Sequence, residues 1–284
     1  MKGWRTRRKG TVNQKGNRFE TEISPLTLRD YLTKRSWARR PLFYMKEGKA
    51  HKGVLDKGEV KEGPVVDAQG NQKRTYSTPQ QTCPELTPSK AAQREELAEN
   101  VNGGTVLETH AGKGNLTDVV YAKAADKVVL VDQNKQLLNK ADEKLNGKVK
   151  HEVIQADNVD WLKNEMKPQQ LKNLKLVDFD PFGSPAEPMK AFFKRFPVKH
   201  KLMVGVTDGS KTYIGYKKGS TARSWLRKNY GIDLKASGTR EDQIRVLDAF
   251  MKVLGQHHGF NVRPINAGFG KQTAVYAGYE LSPK

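Results

Sequence analysis

Residues 106–118 read VLETHAGKGNLTD, and the fold turns on that stretch. Val106 and Leu107 begin an apolar run of strand type, Gly112 and Gly114 bracket a turn, and Asn115 begins a run of helix type. Strand, glycine turn and helix form the opening unit of an open α/β sheet, where ligands bind beyond the carboxyl ends of the strands. Glycines let the backbone approach a ligand there, and the helix N-terminus offers free N–H groups. The spacing is not GxGxxG, because His110 replaces the first Gly, and it is not the GxxxxGK[ST] phosphate loop.

The same alternation continues on both sides. TPSKAAQREELAENV (87–101) begins with Thr-Pro-Ser and runs on in helix formers. After 104–110, strands are expected at 126–133, 148–157, 174–180 and 201–209, with helices at 115–125, 134–145, 159–166 and 184–196 between them. This pattern indicates a parallel sheet covered on both faces. TREDQIRVLDAFMKVLGQHHG (239–259) is a long helix with Thr239 and Asp242 as a capping pair and Gly259 as its stop. His257 and His258 fall in its last turn and point apart, so they do not suit a metal. FNVRPINAG (260–268) and TAVYAGYEL (273–281) read as an antiparallel hairpin at the sheet edge. The expected fold is a Rossmann-like α/β domain over residues 87–284, preceded by a basic extension over 1–86.

Charge points to the partner. The chain has 284 residues, a net charge of +20 and 36% apolar residues, with no apolar run long enough to cross a bilayer. Residues 1–52 hold fifteen Lys or Arg against four Asp or Glu, leaving +11 in under a fifth of the length. Clustered positive charge suits a polyanion, since bound phosphates release their counterions. The basic N-terminus lacks the apolar core of a secretory signal. The single cysteine, Cys83, rules out an internal disulfide and suits a reducing, cytoplasmic setting. Residues 24–44 begin with a helix-start signal, and within them Arg35, Arg39 and Arg40 flank Trp37, a mixture of rings and guanidinium groups that suits stacked bases and phosphates. Trp37 and Phe43 read equally well as anchors to the main domain. A hairpin is expected around Gly70-Asn71 in 65–77. Tyr213, Tyr216, Lys217 and Lys218, in the loop-like 208–231, are the second candidate nucleic-acid contact; Trp225 and Tyr230 in the same segment read equally as packing residues.

Acids close three of the expected strands. Asp132 ends the second, eighteen residues after Gly114, where a carboxylate accepts from both ribose hydroxyls of NAD or S-adenosylmethionine alike. Asp157 ends the third, where it faces an adenine amino group or caps the next helix. Asp180 ends the fourth, in VDFDPFGSPAEP (177–188), where taken in isolation it reads as a helix cap before Ser184-Pro185. Asp178 falls on the opposite face from Phe179 and reads as structural.

At Asp180-Pro181-Phe182-Gly183 the chain resembles the class I S-adenosylmethionine-dependent methyltransferases of exocyclic amino groups, whose fourth motif is Asp/Asn-Pro-Pro-Tyr/Phe. The second Pro is missing and the aromatic comes one position early. Continued as DPFGSP (180–185), the variant is similar to tRNA guanine-N2 dimethyltransferases, whose motif reads Asp-Pro-Phe/Tyr-Gly-Ser/Thr-Pro. ETHAGKG (108–114) departs from that family's Arg-containing first motif. The general resemblance spans 87–284 and implies a seven-stranded sheet with a terminal antiparallel hairpin. It implies a cofactor site built from Glu108, His110, Gly112, Gly114, Asp132 and Asp157 for S-adenosyl-L-methionine, although Glu108 reads equally as a residue that holds the turn and His110 as one that packs it. Asp180, Pro181 and Phe182 would be the catalytic group: the carboxylate and the Pro181 carbonyl accept the amino N–H groups, and Phe182 stacks on a flipped base. A tRNA guanine is the expected target. DNA adenine or cytosine, and a non-catalytic nucleic-acid-binding protein of the same fold, are the alternatives. An NAD enzyme is disfavoured by the missing GxGxxG.

Overall fold

In the computed structural model, residues 40–46, 49–56, 59–61, 87–210, 220–232, 239–270 and 274–284 are described. Arg35, Trp37, Arg39, Tyr213, Tyr216, Lys217, Lys218 and the hairpin expected at 65–77 lie outside them.

The strands are β1 (Arg40–Lys46), β2 (Lys49–Asp56), β3 (Glu59–Lys61), β4 (Thr105–Thr109), β5 (Lys127–Asp132), β6 (Lys150–Gln155), β7 (Leu174–Phe179), β8 (Leu202–Asp208), β9 (Phe260–Phe269) and β10 (Val275–Pro283). The principal helices are α1 (Pro88–Ala98), α2 (Asn115–Val119), α3 (Lys135–Leu145), α4 (Asn158–Asp160), α5 (Ala186–Arg195), α6 (Ser220–Tyr230) and α7 (Arg240–His258). The ten strands among the described residues form one sheet in the order β3-β2-β1-β9-β10-β8-β7-β4-β5-β6. From β6 to β8 the pairs are parallel, and β10 pairs antiparallel with both β8 and β9. The Rossmann-like sheet and its terminal hairpin are therefore present as expected. Chain order reverses between β4 and β7, which makes their carboxyl ends the switch point where such sheets take ligands.

The strands that the alternation predicts are buried on both faces. Val106, Val128, Leu130 and Leu176 pack with Leu116, Tyr121 and Leu138 on one side. Leu107, Val129, Val131, Val177 and Phe179 pack with Phe192, Phe193 and α7 on the other. Successive strand residues point to opposite faces, so a sheet covered twice reads as a continuous apolar run. Helix α7 starts where Thr239 Oγ1 accepts from Asp242 N at 3.1 Å and ends at Gly259 with φ +74°.

Two expectations require correction. The hairpin β9–β10 is not at the edge, because β1 pairs in parallel with β9 through Leu42–Ala267 and Phe43–Gly268, and β2 and β3 follow. The helical reading of 24–44 fails at its end, where residues 40–44 are strand. Pro41 biases the preceding residue toward extended backbone, and Leu42 and Phe43 are buried on opposite faces. Phe43 is thus an anchor, and β1, β2 and β3 of the basic extension belong to the sheet.

Arg40 is also corrected. It is 4% exposed, and its guanidinium donates to both oxygens of Asp248 on α7 at 3.0 Å each. Tyr279 donates to the same carboxylate at 3.0 Å. This charge is neutralised inside the fold and does not face a polyanion.

Removing one partner of such a pair leaves the other charge buried, at a cost of about 3–5 kcal/mol. Asp248→Ala should lose about that much unfolding free energy in urea titration, while Arg40→Met with Asp248→Leu should recover most of it. A loss below about 1 kcal/mol for Asp248→Ala would mean that β1 is held by its strand pairing alone.

Candidate functional site

The turn after β4 is left-handed at three positions: His110 (φ +66°), Gly112 (φ +54°) and Gly114 (φ +65°). The two glycines differ in their surroundings. A Cβ on Gly114 would lie 2.9 Å from Ala141 Cβ on α3, so this glycine lets helix and turn pack. A Cβ on Gly112 would meet nothing within 4 Å, so this glycine faces open space. His110 accepts the strain of the first glycine position with help from its neighbours. Its backbone N donates to Asn158 Oδ1 at 3.3 Å, and its Nδ1 lies 3.1 Å from Thr109 Oγ1. Burial pushes its imidazole below the ordinary histidine range.

Asp132 closes β5 directly against this turn. Its Oδ2 accepts from Gly112 N at 2.9 Å and its Oδ1 from Asn134 N at 2.8 Å. Each oxygen is left with acceptor capacity, since an ionised carboxylate has about four lone-pair sites. The carboxylate is half-buried beside the open space over Gly112. That combination fits a nucleoside whose ribose hydroxyls donate to Asp132. Asp157 is exposed, and its Oδ1 accepts from Val159 N at 2.9 Å and Asp160 N at 3.0 Å, so it does cap α4. Its other oxygen accepts no bond from the described residues.

Glu108 is buried under the turn and accepts from Thr117 Oγ1. Burial pushes its carboxyl up to about 8, with Asp178 and Asp180 adding to the rise against the Thr117 bond. A cation placed near it would favour the ionised form.

β7 brings in the remaining group. Asp178 is wholly buried and receives Arg94 of α1 in a two-pronged contact at 2.9 and 2.8 Å, with Tyr121 Oη donating at 2.5 Å. Burial opposes its charge, and Arg94 more than offsets that, holding the carboxyl below its ordinary range. Its structural reading holds. Asp180, two residues on, lies at the strand end with its side chain 15% exposed. Pro181 is buried, while Phe182 is 89% exposed, one of two large apolar side chains exposed among the described residues. A Cβ on Gly209 would lie 2.5 Å from Phe182 O, so the end of β8 fits closely beneath this loop.

The structure thus brings Glu108, His110, Gly112, Gly114 and Asp132 together around one turn, with Asp180 on the adjacent strand end. The sequence reading assigned no role to Lys90, whose Nζ contacts Asp180 Oδ2. The signal was present as a basic pair four apart in a helix and an acidic pair two apart in a strand. In the 208–231 segment, Tyr230 is buried and donates to Asp208 at 2.8 Å, and Trp225 packs against the core, so both serve packing. A separate concavity of about 530 Å³, lined by Trp161, Met166 and Arg195 among others, includes none of the strand-end acids. No helix among the described residues is long and apolar enough to cross a membrane.

Comparison with known proteins adds a partial match. Residues 74–181, rather more than a third of the chain, match the sequence profile of the family described as ribosomal RNA adenine dimethylase. No curated protein sequence matches the chain. Among solved structures, Trm1 from Pyrococcus horikoshii, in complex with S-adenosyl-L-methionine, superposes with TM-score 0.51 at 15% identity, over 70% of this chain and 57% of that one. This chain therefore spans little more than half of the Trm1 structure, and at that identity the likeness is one of fold. A dimethyladenosine transferase from Plasmodium falciparum (TM-score 0.41, 15% identity, 68% and 60% covered) and the 23S rRNA methyltransferase ErmE (TM-score 0.40, 17% identity, 67% and 67% covered) are looser and carry no argument. The fold is that of a class I methyltransferase.

Gly112→Ala should fold with a loss of about 1–2 kcal/mol for a side chain in left-handed backbone. It should also weaken S-adenosylmethionine binding in calorimetry by tenfold or more, because the methyl projects into the space over the turn. Unchanged affinity would move the cofactor away from this turn.

Proposed function

We propose that the chain is an S-adenosylmethionine-dependent methyltransferase acting on an exocyclic amino group of an RNA base. The observation that carries this reading is the juxtaposition of Asp132 and the open Gly112 turn with Asp180-Pro181-Phe182 across the switch point of the sheet. The partial profile match, which runs through Pro181, and the fold shared with Trm1 support the same cofactor and a nucleic-acid substrate.

The cofactor supplies an activated methyl group. This chain's residues do the rest. An exocyclic amino nitrogen is a poor nucleophile while its lone pair is delocalised into the ring. Asp180 and the Pro181 carbonyl accept its N–H bonds, draw the nitrogen toward tetrahedral geometry and hold it in place. Phe182, exposed at the loop tip, stacks on the base once it is turned out of any helix. The positive charge of the N-terminal region serves the phosphates and is silent on sequence.

Guanine-N2 of tRNA is the preferred target. The DPFGSP variant favours it, and so does the chemistry of the base edge. A carboxylate accepts and cannot donate. The guanine N2 amino group lies between N1–H, a second donor, and N3, an acceptor, whereas the adenine N6 amino group lies beside the acceptor N1 and has no neighbouring ring donor. The profile match to adenine dimethylases favours the second reading, adenine-N6 of ribosomal RNA.

Asp180→Ala should lower kcat by about a hundredfold or more, with cofactor affinity within about threefold, as expected for losing a group that acts on the transition state. Nucleoside mass spectrometry after reaction on pooled RNA should give N2-methylated guanosine. N6-methylated adenosine would select the second target, and a methyl group on ring carbon or ribose oxygen would contradict the amino-group mechanism.

A further inference from the structure

Helix α1 and strand β7 present matched pairs of charges. Lys90 and Arg94 are four residues apart on the helix, about 6 Å along its axis. Asp178 on β7 and Asp180 one residue past its end are two apart, about 6.6 Å along extended backbone, and both reach α1. Both rungs form: Arg94 to Asp178, and Lys90 Nζ to Asp180 Oδ2. The inner rung is sealed, with both side chains 0% exposed. The outer rung opens onto the site, with Lys90 4% and Asp180 15% exposed.

Lys90 is held from several sides. Thr87 Oγ1 caps α1 by accepting from Lys90 N at 3.2 Å. Ser89 Oγ donates to Phe269 O at 3.0 Å, and the Lys90 ammonium lies 5.9 Å from the Tyr276 ring centroid. Burial and the neighbouring Arg94 oppose the ammonium's charge; Asp180, with Tyr276 and Asp178, outweighs them and holds it above the ordinary lysine range. Asp180 Oδ1 accepts no hydrogen bond from the described residues.

We infer that Lys90 is a positioning residue for the target amino group: by engaging Oδ2 from within the fold, it fixes the Asp180 carboxylate and presents Oδ1 as the acceptor of the substrate N–H. The inference rests on the proposed amino-group methylation. Without the lysine, the carboxylate is free to rotate about its side-chain bonds, and a misplacement on the ångström scale costs rate far more than binding.

The test is steady-state kinetics with labelled S-adenosylmethionine and pooled RNA. Lys90→Met should lower kcat by about ten- to a hundredfold, with KM for RNA and cofactor within about twofold. Lys90→Arg should restore a good part of the rate. In an Asp180→Ala background, Lys90→Met should cause no further loss, because the lysine acts through the Asp180 side chain. If Lys90→Met does not fold, Lys90→Gln takes its place under the same criteria. A kcat within twofold of the wild type, or a loss that persists in full on top of Asp180→Ala, would overturn the inference while leaving the methyltransferase reading intact. A wild-type protein that transfers no methyl group, or an Asp180→Ala variant at full rate, would instead bring down the reading beneath it.

Discussion

The buried pair between Arg94 and Asp178 is the constraint on which the site depends. Two charges with no exposed surface are costly to desolvate, and they are tolerated only when geometry and further hydrogen bonds are good. Here the guanidinium meets the carboxylate in a two-pronged contact, and Tyr121 and Thr207 complete the set. Gly205 is part of the same arrangement, since a Cβ there would lie 2.7 Å from Arg94 Nε. The consequence is that α1 has one permitted position along β7. Shifting the helix by a turn would strand both acids.

That fixed position links the chemistry to the topology. β7 runs beside β4 with Asp178 opposite Glu108 and Phe179 opposite Thr109. The glycine turn and the Asp180 loop therefore emerge side by side where chain order reverses. Asp132 then ties the turn to β5 through Gly112 N. In the proposed function, three neighbouring strand ends would supply the acceptor for a ribose, the opening for a nucleoside and the acceptor for an amino group. The exposed Phe182 stands at the rim of this group.

How much of this the sequence discloses depends on the range of the interactions. The β4–β8 strands and their helices are bounded by local signals: glycines, Pro, and acids at the strand ends. Helix α7 is legible to the residue because Thr239 and Gly259 act within one turn. The strand-end positions of Asp132 and Asp180 are legible because each closes an apolar run. Arg40 and β1 are not, since their partners, Asp248 and β9, lie more than 200 residues away in sequence, and the nearby helix-start signal points elsewhere. Lys90 escapes for the same reason: its partner lies 90 residues on. His110 hides the first glycine position, because left-handed backbone at a non-glycine residue leaves no mark in the sequence.

The most direct test of this arrangement is amide hydrogen exchange with and without S-adenosylmethionine. Binding at the switch point should slow exchange at residues 110–114 and 132–134, with little change elsewhere in the sheet. Protection absent from those residues, or confined to the concavity beside Trp161 and Arg195, would contradict the placement of the cofactor and with it the role given to Asp180.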